Sequence, residues 1–467
     1  MDMRPMLLLP EISIFLGGMA VLLGGSFLPR TRQWVSRLIA AIACLGAAIA
    51  GAVSLFGPAQ QAMSGTFAID DATAIARIIA PLGTLIVLAL ASDEIAGSPR
   101  ESDTYALLLF STAGTLILAG ANDLLIVAVG FLLSSIPLYG LIGVSSTPNG
   151  AEATMKAYLI GALFGIVLLG GITVLYGVSG TTLYGPLARE LAGAPPGAVG
   201  LGAASVVMAL MFKVGGVPGH FWIPDAAQGA GGAVAAFLTT VPKVGALIAI
   251  YRVLEIMPAT LAWPLLVALL AVVSMTLGNL AAFWQSDPRR LLGWSTVSQV
   301  GYLLVPLAVV TRSDLALPAL LFYLAAYVLT NLGAFAVSTA FPELRDLEEF
   351  RGLGRERPWL GAALVVLLLS LVGTPPTAVF VGKLVTAAAA WDGGVAWLAI
   401  AVFVNSVVSL FYYVRWIAPV YRSGEARASH GMGQFLPTPW SSATAIASAV
   451  AVLVLGIGAG IAWPALS

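Results

Sequence analysis

The sequence predicts an all-helical, polytopic membrane protein, and three observations carry that prediction. Of its 467 residues, 59% are hydrophobic and 9% charged, at a mean hydropathy of +0.96; a soluble domain has no interior large enough to hide that much apolar surface. The apolar residues fall in runs of about 20, the length at which a helix crosses the hydrocarbon core of a bilayer. The basic residues gather in alternate connections between these runs, which is how membrane helices acquire their sidedness.

Fourteen runs satisfy the length requirement, near 6–28, 35–57, 72–92, 104–120, 122–144, 154–178, 199–217, 230–252, 259–284, 292–311, 315–340, 359–389, 394–420 and 441–463. The first is too long for a signal-peptide core and lacks a small-residue cleavage site, so it reads as a span. Connections after odd-numbered runs hold Arg30, Arg32, Arg37, Arg100, Lys156, Arg289, Arg290, Arg345, Arg351, Arg355, Arg357, Arg415, Arg422 and Arg427; those after even-numbered runs hold only Arg189, Arg252 and Arg312. The odd connections are therefore expected on the cytoplasmic side and both termini outside. Neither Pro342–Pro358 nor Arg422–Thr438 is long enough to fold alone, so residues 1–467 form one polytopic membrane domain.

Several runs carry their own interruptions. Gly215, Gly216 and Pro218 follow Lys213, Pro242 precedes Lys243, and Pro375–Pro376 precede Lys383. Proline removes a backbone donor and clashes with the preceding turn, and freed carbonyls survive at membrane depth only beside protein or a water-filled cavity. The main breaks lie in spans 7 and 12, five apart, and an offset of five reverses orientation. Spans 4–8 (104–252) and 9–13 (259–421) thus read as an inverted repeat, the transporter arrangement with the ion path at the interruptions. The N-terminal spans (1–103) precede it and a last span (441–463) follows.

Lys213, Lys243 and Lys383 lie inside these apolar runs. A charge at that depth is costly unless paired, hydrated or neutral, so each is a candidate for ion translocation. Lys156 has two readings, one as part of the path and one as a lysine that snorkels to the headgroups. His220, in GVPGHFW, is either a satisfied interfacial histidine or a group that titrates near neutral pH. Cys44 is most simply a small core residue. Zero net formal charge gives no case for nucleic acid. There is no Gly-rich nucleotide loop and no nucleophile–base pair. With two histidines (His220, His430) and one cysteine, the chain can hold neither an iron–sulfur centre nor a conventional zinc site.

FKVGGVPGHFWIPDAAQGA followed by AAFLTTVPK resembles the seventh- and eighth-span signature of the proton-pumping, antiporter-like subunits of respiratory complex I (NADH:quinone oxidoreductase) and the related Mrp-type cation/proton antiporters. LILAGANDLLIVAVG, AEATMKAYLIG, SMTLGNLAAFWQSDPRRLLGWSTVSQVGYLL, LLFYLAAYVLTNLGAFAV, FRGLGRERPWLGAALVVLLLSLVGTPPTAVFVGK and AVFVNSVVSLFYYVR follow the order of the family's N-type branch over nearly the whole length.

The resemblance implies proton translocation across the bacterial cytoplasmic (inner) membrane, driven by quinone reduction elsewhere in a large complex. NADH, FMN, iron–sulfur centres and quinone would then reside on partner subunits, with no cofactor here. Other membrane subunits, including homologous antiporter-like ones, would be the partners, and small-residue faces such as Gly161/Gly165 and Gly456/Gly460 would help them associate. Lys213 matches the seventh-span lysine, Lys243 the eighth-span lysine of the central relay, Lys383 the twelfth-span lysine at the far exit, and Lys156 the sixth-span lysine. His220 matches a histidine near the relay, and Gln299 falls where relatives carry histidine or glutamine.

Two matches fail. The fifth-span glutamate of a G-L-E-L-x-S pattern aligns with GFLLSS, at Leu132, and GGAVAAF stands after Gly229–Ala230 where relatives carry prolines. Burial drives a lysine toward neutrality and a carboxylate holds it charged. Lys213 therefore depends on Asp225, on Asp123, on a partner's acid, or on none. Two rival functions stay open: an Mrp-type antiporter subunit, and a structural subunit that no longer pumps.

Overall fold

The structure is a computed structural model that describes residues 3–422 and 436–466, with side chains up to 459 in the last helix. His430 and Arg427 lie outside the described residues, as does the surface around Gly460. Eighteen α-helices and one small hairpin account for nearly all the described secondary structure.

In chain order, α1 (Leu9–Phe27) and α2 (Trp34–Ser54) lead into an antiparallel hairpin, β1 (Gln60–Ala62) and β2 (Phe67–Ile69). Then come α3 (Asp71–Ile95), α4 (Glu101–Gly120), α5 (Leu124–Gly143) and α6 (Pro148–Ser179). A short α7 (Tyr184–Leu191) precedes α8 (Pro196–Val214), α9 (Trp222–Gly229) and α10 (Gly232–Glu255). The second half holds α11 (Trp263–Ala282), α12 (Pro288–Leu307), α13 (Ala316–Ala340), the single turn α14 (Leu353–Glu356), α15 (Pro358–Val372), α16 (Ala378–Asp392), α17 (Ala396–Tyr421) and α18 (Pro439–Leu466).

Among the described residues, twelve helical segments are long and apolar enough to cross a membrane. Two of the fourteen expected spans fall outside that set for physical reasons. The helix α12 carries Arg289, Arg290, Ser295, Thr296, Ser298 and Gln299 within a single stretch, and span 12 is divided into α15 and α16 of 15 residues each. The expected breaks in spans 7 and 12 are both present, α8 ending at Gly215 and α15 at Gly373. At Pro242 the expectation of an interruption fails, because α10 runs as one helix through it. Its neighbours α3, α4, α8, α12 and α13 enclose α10, and this lateral packing holds the turn together where one backbone donor is missing.

The helix α10 is buried from Gly232 to Ile250 and forms the axis of the molecule. Ion pairs and caps tie it in at both ends. At one end Arg252 donates to both Asp70 carboxylate oxygens at 2.8 Å, to Thr73 Oγ1 at 2.9 Å and to the Ala119 carbonyl at 2.8 Å. At the other, the Glu94 carboxylate accepts from the backbone N–H groups of Gly232 (2.6 Å) and Ala233 (3.0 Å), while adjacent Asp93 accepts from Ser441 N (2.7 Å) at the start of α18. Carboxylates at helix N-termini satisfy orphan donors and complement the helix dipole. A buried bidentate pair, Arg77 with Glu11 at 2.8 Å, joins α3 to α1. Cys44 is fully buried as a small core residue.

Gly161 and Gly456 of the expected small-residue faces pack inside the chain. Gly161 leaves room for the Tyr139 hydroxyl and Phe212, and Gly456 for the backbone at Pro376 and Thr377.

Although burial raises the pKa of Asp70, the Arg252 guanidinium and the Thr73 N–H outweigh it and hold the carboxyl below its ordinary 3.8. The stabilising contribution is therefore fully present above that value and is lost as pH falls through the lower folded-state value. Asp70→Asn is expected to lower the thermal midpoint of the purified protein at neutral pH and to flatten its pH dependence below 3.8; an unchanged midpoint would show that Arg252 is held without it.

Candidate functional site

Each helix break leaves carbonyls that the helix cannot satisfy. Gly215 (φ 78°) and Gly373 (φ 88°) adopt the left-handed conformation that turns the chain out of α8 and α15, a geometry in which a side chain is strained. After α8, Gly215 N and Gly216 N donate to the Met211 carbonyl, Trp222 Nε1 donates to that of Phe212 at 3.1 Å, and Ser274 Oγ accepts from Val217 N at 3.0 Å. The Val214 carbonyl is claimed by Lys243 Nζ, reaching across from α10 to 2.5 Å.

The second break is closed in the same manner. Lys383 Nζ, on α16, donates to the Leu371 carbonyl at 3.2 Å and the Val372 carbonyl at 2.9 Å. In both cases a buried lysine binds the last carbonyl before the left-handed glycine, where the negative end of the helix dipole favours a cation. The ammonium of Lys383 also lies 3.9 Å from the centroid of the Tyr302 ring, an attractive cation–π placement. Gln299 Nε2 shares the Leu371 carbonyl at 2.9 Å, and Gln299 Oε1 accepts from Tyr323 Oη at 2.6 Å.

Lys213 is 1% exposed and Lys243 fully buried. Lys213 Nζ donates to Ser135 Oγ of α5 at 3.0 Å. Among the described residues, no carboxylate forms a salt bridge with Lys213, Lys243 or Lys383. The two acids considered for Lys213 are engaged elsewhere. Asp123 caps α5 and accepts from Thr182 Oγ1 at 2.7 Å, while Asp225 pairs with Lys156 at 2.7 Å and Arg290 at 2.5 Å. Leu132 is 44% exposed on the outer side of α5, and it lines, with Ser135, an apolar cleft between α5 and α6. The α5 residue that touches Lys213 is therefore Ser135, one turn beyond Leu132.

Lys156 and His220 stand apart from the three lysines. Lys156 is partly exposed and belongs to a charged cluster with Glu152 (2.6 Å) and Asp225 where α6, α9 and α12 meet. The side chain of His220 is buried between Phe221 and Trp294, and its Nδ1 has no hydrogen-bond partner. The described residues contain no cluster of three or more His, Cys, Asp or Glu side chains able to hold a metal ion.

Reading for charge misses the uncharged polar residues packed between the lysines. Thr239, Thr296, Tyr323, Tyr327 and Asn331 are fully buried on α10, α12 and α13. A second polar group, Asn279, Ser298, Asn405 and Tyr412, is joined by hydrogen bonds of 2.8 to 3.2 Å. The available signal was the polarity of STVSQ (295–299) within a span.

These features define a class: a helical membrane protein with an internal polar axis, two broken helices, and lysines at the breaks. The family described as NADH:quinone oxidoreductase/Mrp antiporter, TM, matches residues 121–409. The chain belongs to this family. It is 59% identical over 419 residues to NADH-quinone oxidoreductase subunit N of a Mycobacterium species (strain JLS), covering 90% of this chain and 89% of that one. It superimposes on a chain of respiratory complex I from Thermus thermophilus with a TM-score of 0.83 at 31% identity, covering 97% and 98% of the two chains. A chain of the Mrp complex from Dietzia sp. DQ12-45-1b gives 0.84 at 23% identity, covering 98% and 95%, which speaks to the fold alone.

Gly373→Ala is expected to cost about 1–2 kcal/mol in backbone strain, and its Cβ would stand 2.8 Å from Lys383 Cδ and displace that side chain. A lower thermal midpoint together with reduced proton transport should result; unchanged transport would show that Lys383 is not held functionally at this break.

Proposed function

We infer that the chain is the N-type membrane subunit of a bacterial NADH:quinone oxidoreductase and carries protons across the cytoplasmic membrane while quinone is reduced elsewhere in the complex. The observation that carries this reading is the set of three buried, carboxylate-free lysines at two helix breaks, in a chain 59% identical to a protein named as that subunit. NADH, FMN, iron–sulfur centres and quinone are assigned to partner subunits, and homologous antiporter-like subunits are the expected neighbours.

In this reading the fourteen spans are retained, α8–α9 and α15–α16 each counting as one interrupted crossing. Both termini lie outside, and residues 104–252 and 259–421 form the inverted repeat. Two matched ends support it, since each repeat closes its break with a lysine on the residue before a left-handed glycine. Lys213 and Lys243 load protons, and Lys383 releases them at the far side. Lysine suits this task because it can exist neutral when buried, whereas arginine stays charged. Lys156 serves the inlet end through its cluster with Asp225, and His220 lines the connection between α8 and α9.

A second reading, a structural subunit that no longer pumps, draws on one observation: the fifth-span side chain that touches Lys213 is the hydroxyl of Ser135, and Leu132, which aligns with the family's glutamate, lies on the exposed side of α5. The count of protons moved per quinone reduced separates the two.

Lys383→Ala is expected to lower proton pumping and the linked quinone reductase rate of an assembled complex. Proton uptake by proteoliposomes and quinone reduction should be followed together; wild-type pumping by the variant would remove Lys383 from the exit.

A further inference from the structure

Among the described residues, no charged side chain forms a salt bridge with Lys243 on α10 or Lys383 on α16. Tyr327 of α13 reaches both α10 and α12. Its hydroxyl oxygen lies 2.7 Å from the Thr239 carbonyl of α10 and 3.1 Å from Thr296 Oγ1 of α12. It also accepts from Asn331 Nδ2 at 3.3 Å, and the same amide nitrogen reaches Thr239 Oγ1 at 3.1 Å. A phenol has one proton, so Tyr327 donates to one helix or to the other. Thr239 sits one turn before Lys243 on α10. Thr296 sits one turn before Gln299, whose amide shares the Leu371 carbonyl with Lys383.

Asn331 adds an independent observation. Its Oδ1 is buried without a hydrogen-bond partner. The acceptor side of this buried amide is therefore open to a further donor beside Tyr327.

We propose that Tyr327, held by Asn331, is the relay residue joining the two halves of the proton path, its hydroxyl turning between the Thr239 carbonyl on the Lys243 side and Thr296 on the Lys383 side. The proposal rests on the proton-carrying reading above. Because the Thr239 carbonyl can only accept, the proton comes to the phenol oxygen from protonated water on the Lys243 side: an O–H bond of that water breaks as one to the phenol forms, the phenol gives its own proton to Thr296 Oγ1, and Thr296 gives up its hydroxyl proton to water on the Lys383 side, so both side chains end neutral and no electron moves.

The test uses the whole complex in proteoliposomes and compares Tyr327→Phe, Asn331→Leu and Lys383→Ala. Tyr327→Phe keeps the ring and removes only the relay oxygen. Asn331→Leu replaces the amide with an apolar group of similar size and removes the donor to Tyr327 Oη, while the tyrosine keeps its own bonds to Thr239 and Thr296. Both are expected to lose protons pumped per quinone reduced, toward the level of Lys383→Ala. If both variants pump as the parent does while Lys383→Ala is impaired, the relay assignment falls and the proton path runs elsewhere. If all three pump fully, the proton-carrying reading itself falls. Should Tyr327→Phe fail to assemble, Asn331→Leu alone decides: full pumping overturns the proposal, and loss of pumping at undiminished stability supports it.

Discussion

The structure depends on how carbonyls freed by a helix that stops inside a membrane are satisfied. Each unpaired carbonyl in an apolar interior costs several kcal/mol. At both breaks the partner of the last one is a lysine ammonium. The arrangement solves two problems together, because the lysine also needs a partner once it leaves water. A carboxylate would pair with it more strongly and hold it in the charged form. A carbonyl dipole at the end of a helix is a weaker anchor, and the proton stays exchangeable.

The remainder of the molecule encloses these two breaks. The helix α10 is sheathed by its neighbours and fixed at its ends by Arg252–Asp70 and by the Glu94 cap. Full charges sit where α10 meets the boundary, and its interior presents threonines and Lys243. Ion pairs thus stand at the ends of α10 and uncharged hydrogen bonds along its interior.

Much of this was legible in the sequence because burial and periodicity are local. Run length and charge gave the helices to within a few residues, and Lys213, Lys243 and Lys383 stood out because lysine is rare in apolar runs. The break at Gly215–Pro218 was readable from the chemistry of those residues, while Pro242 misled: whether a proline interrupts a membrane helix depends on lateral packing that a one-dimensional pattern does not contain. Ser135 in place of Leu132, and the engagement of Asp225 by Lys156 and Arg290, depend on which face of a helix meets which neighbour. Tyr327 and Asn331 were hidden for another reason, since single polar residues in an apolar run are commonplace.

Asp93 and Glu94 are consecutive, yet they hold different helices: one cups the start of α18 and the other the start of α10. Adjacent residues on a rigid helix cannot slide independently, so α3 acts as a clasp that fixes the heights of α10 and α18 along the membrane normal. Neither helix start can therefore shift along its axis without breaking its own bond to α3.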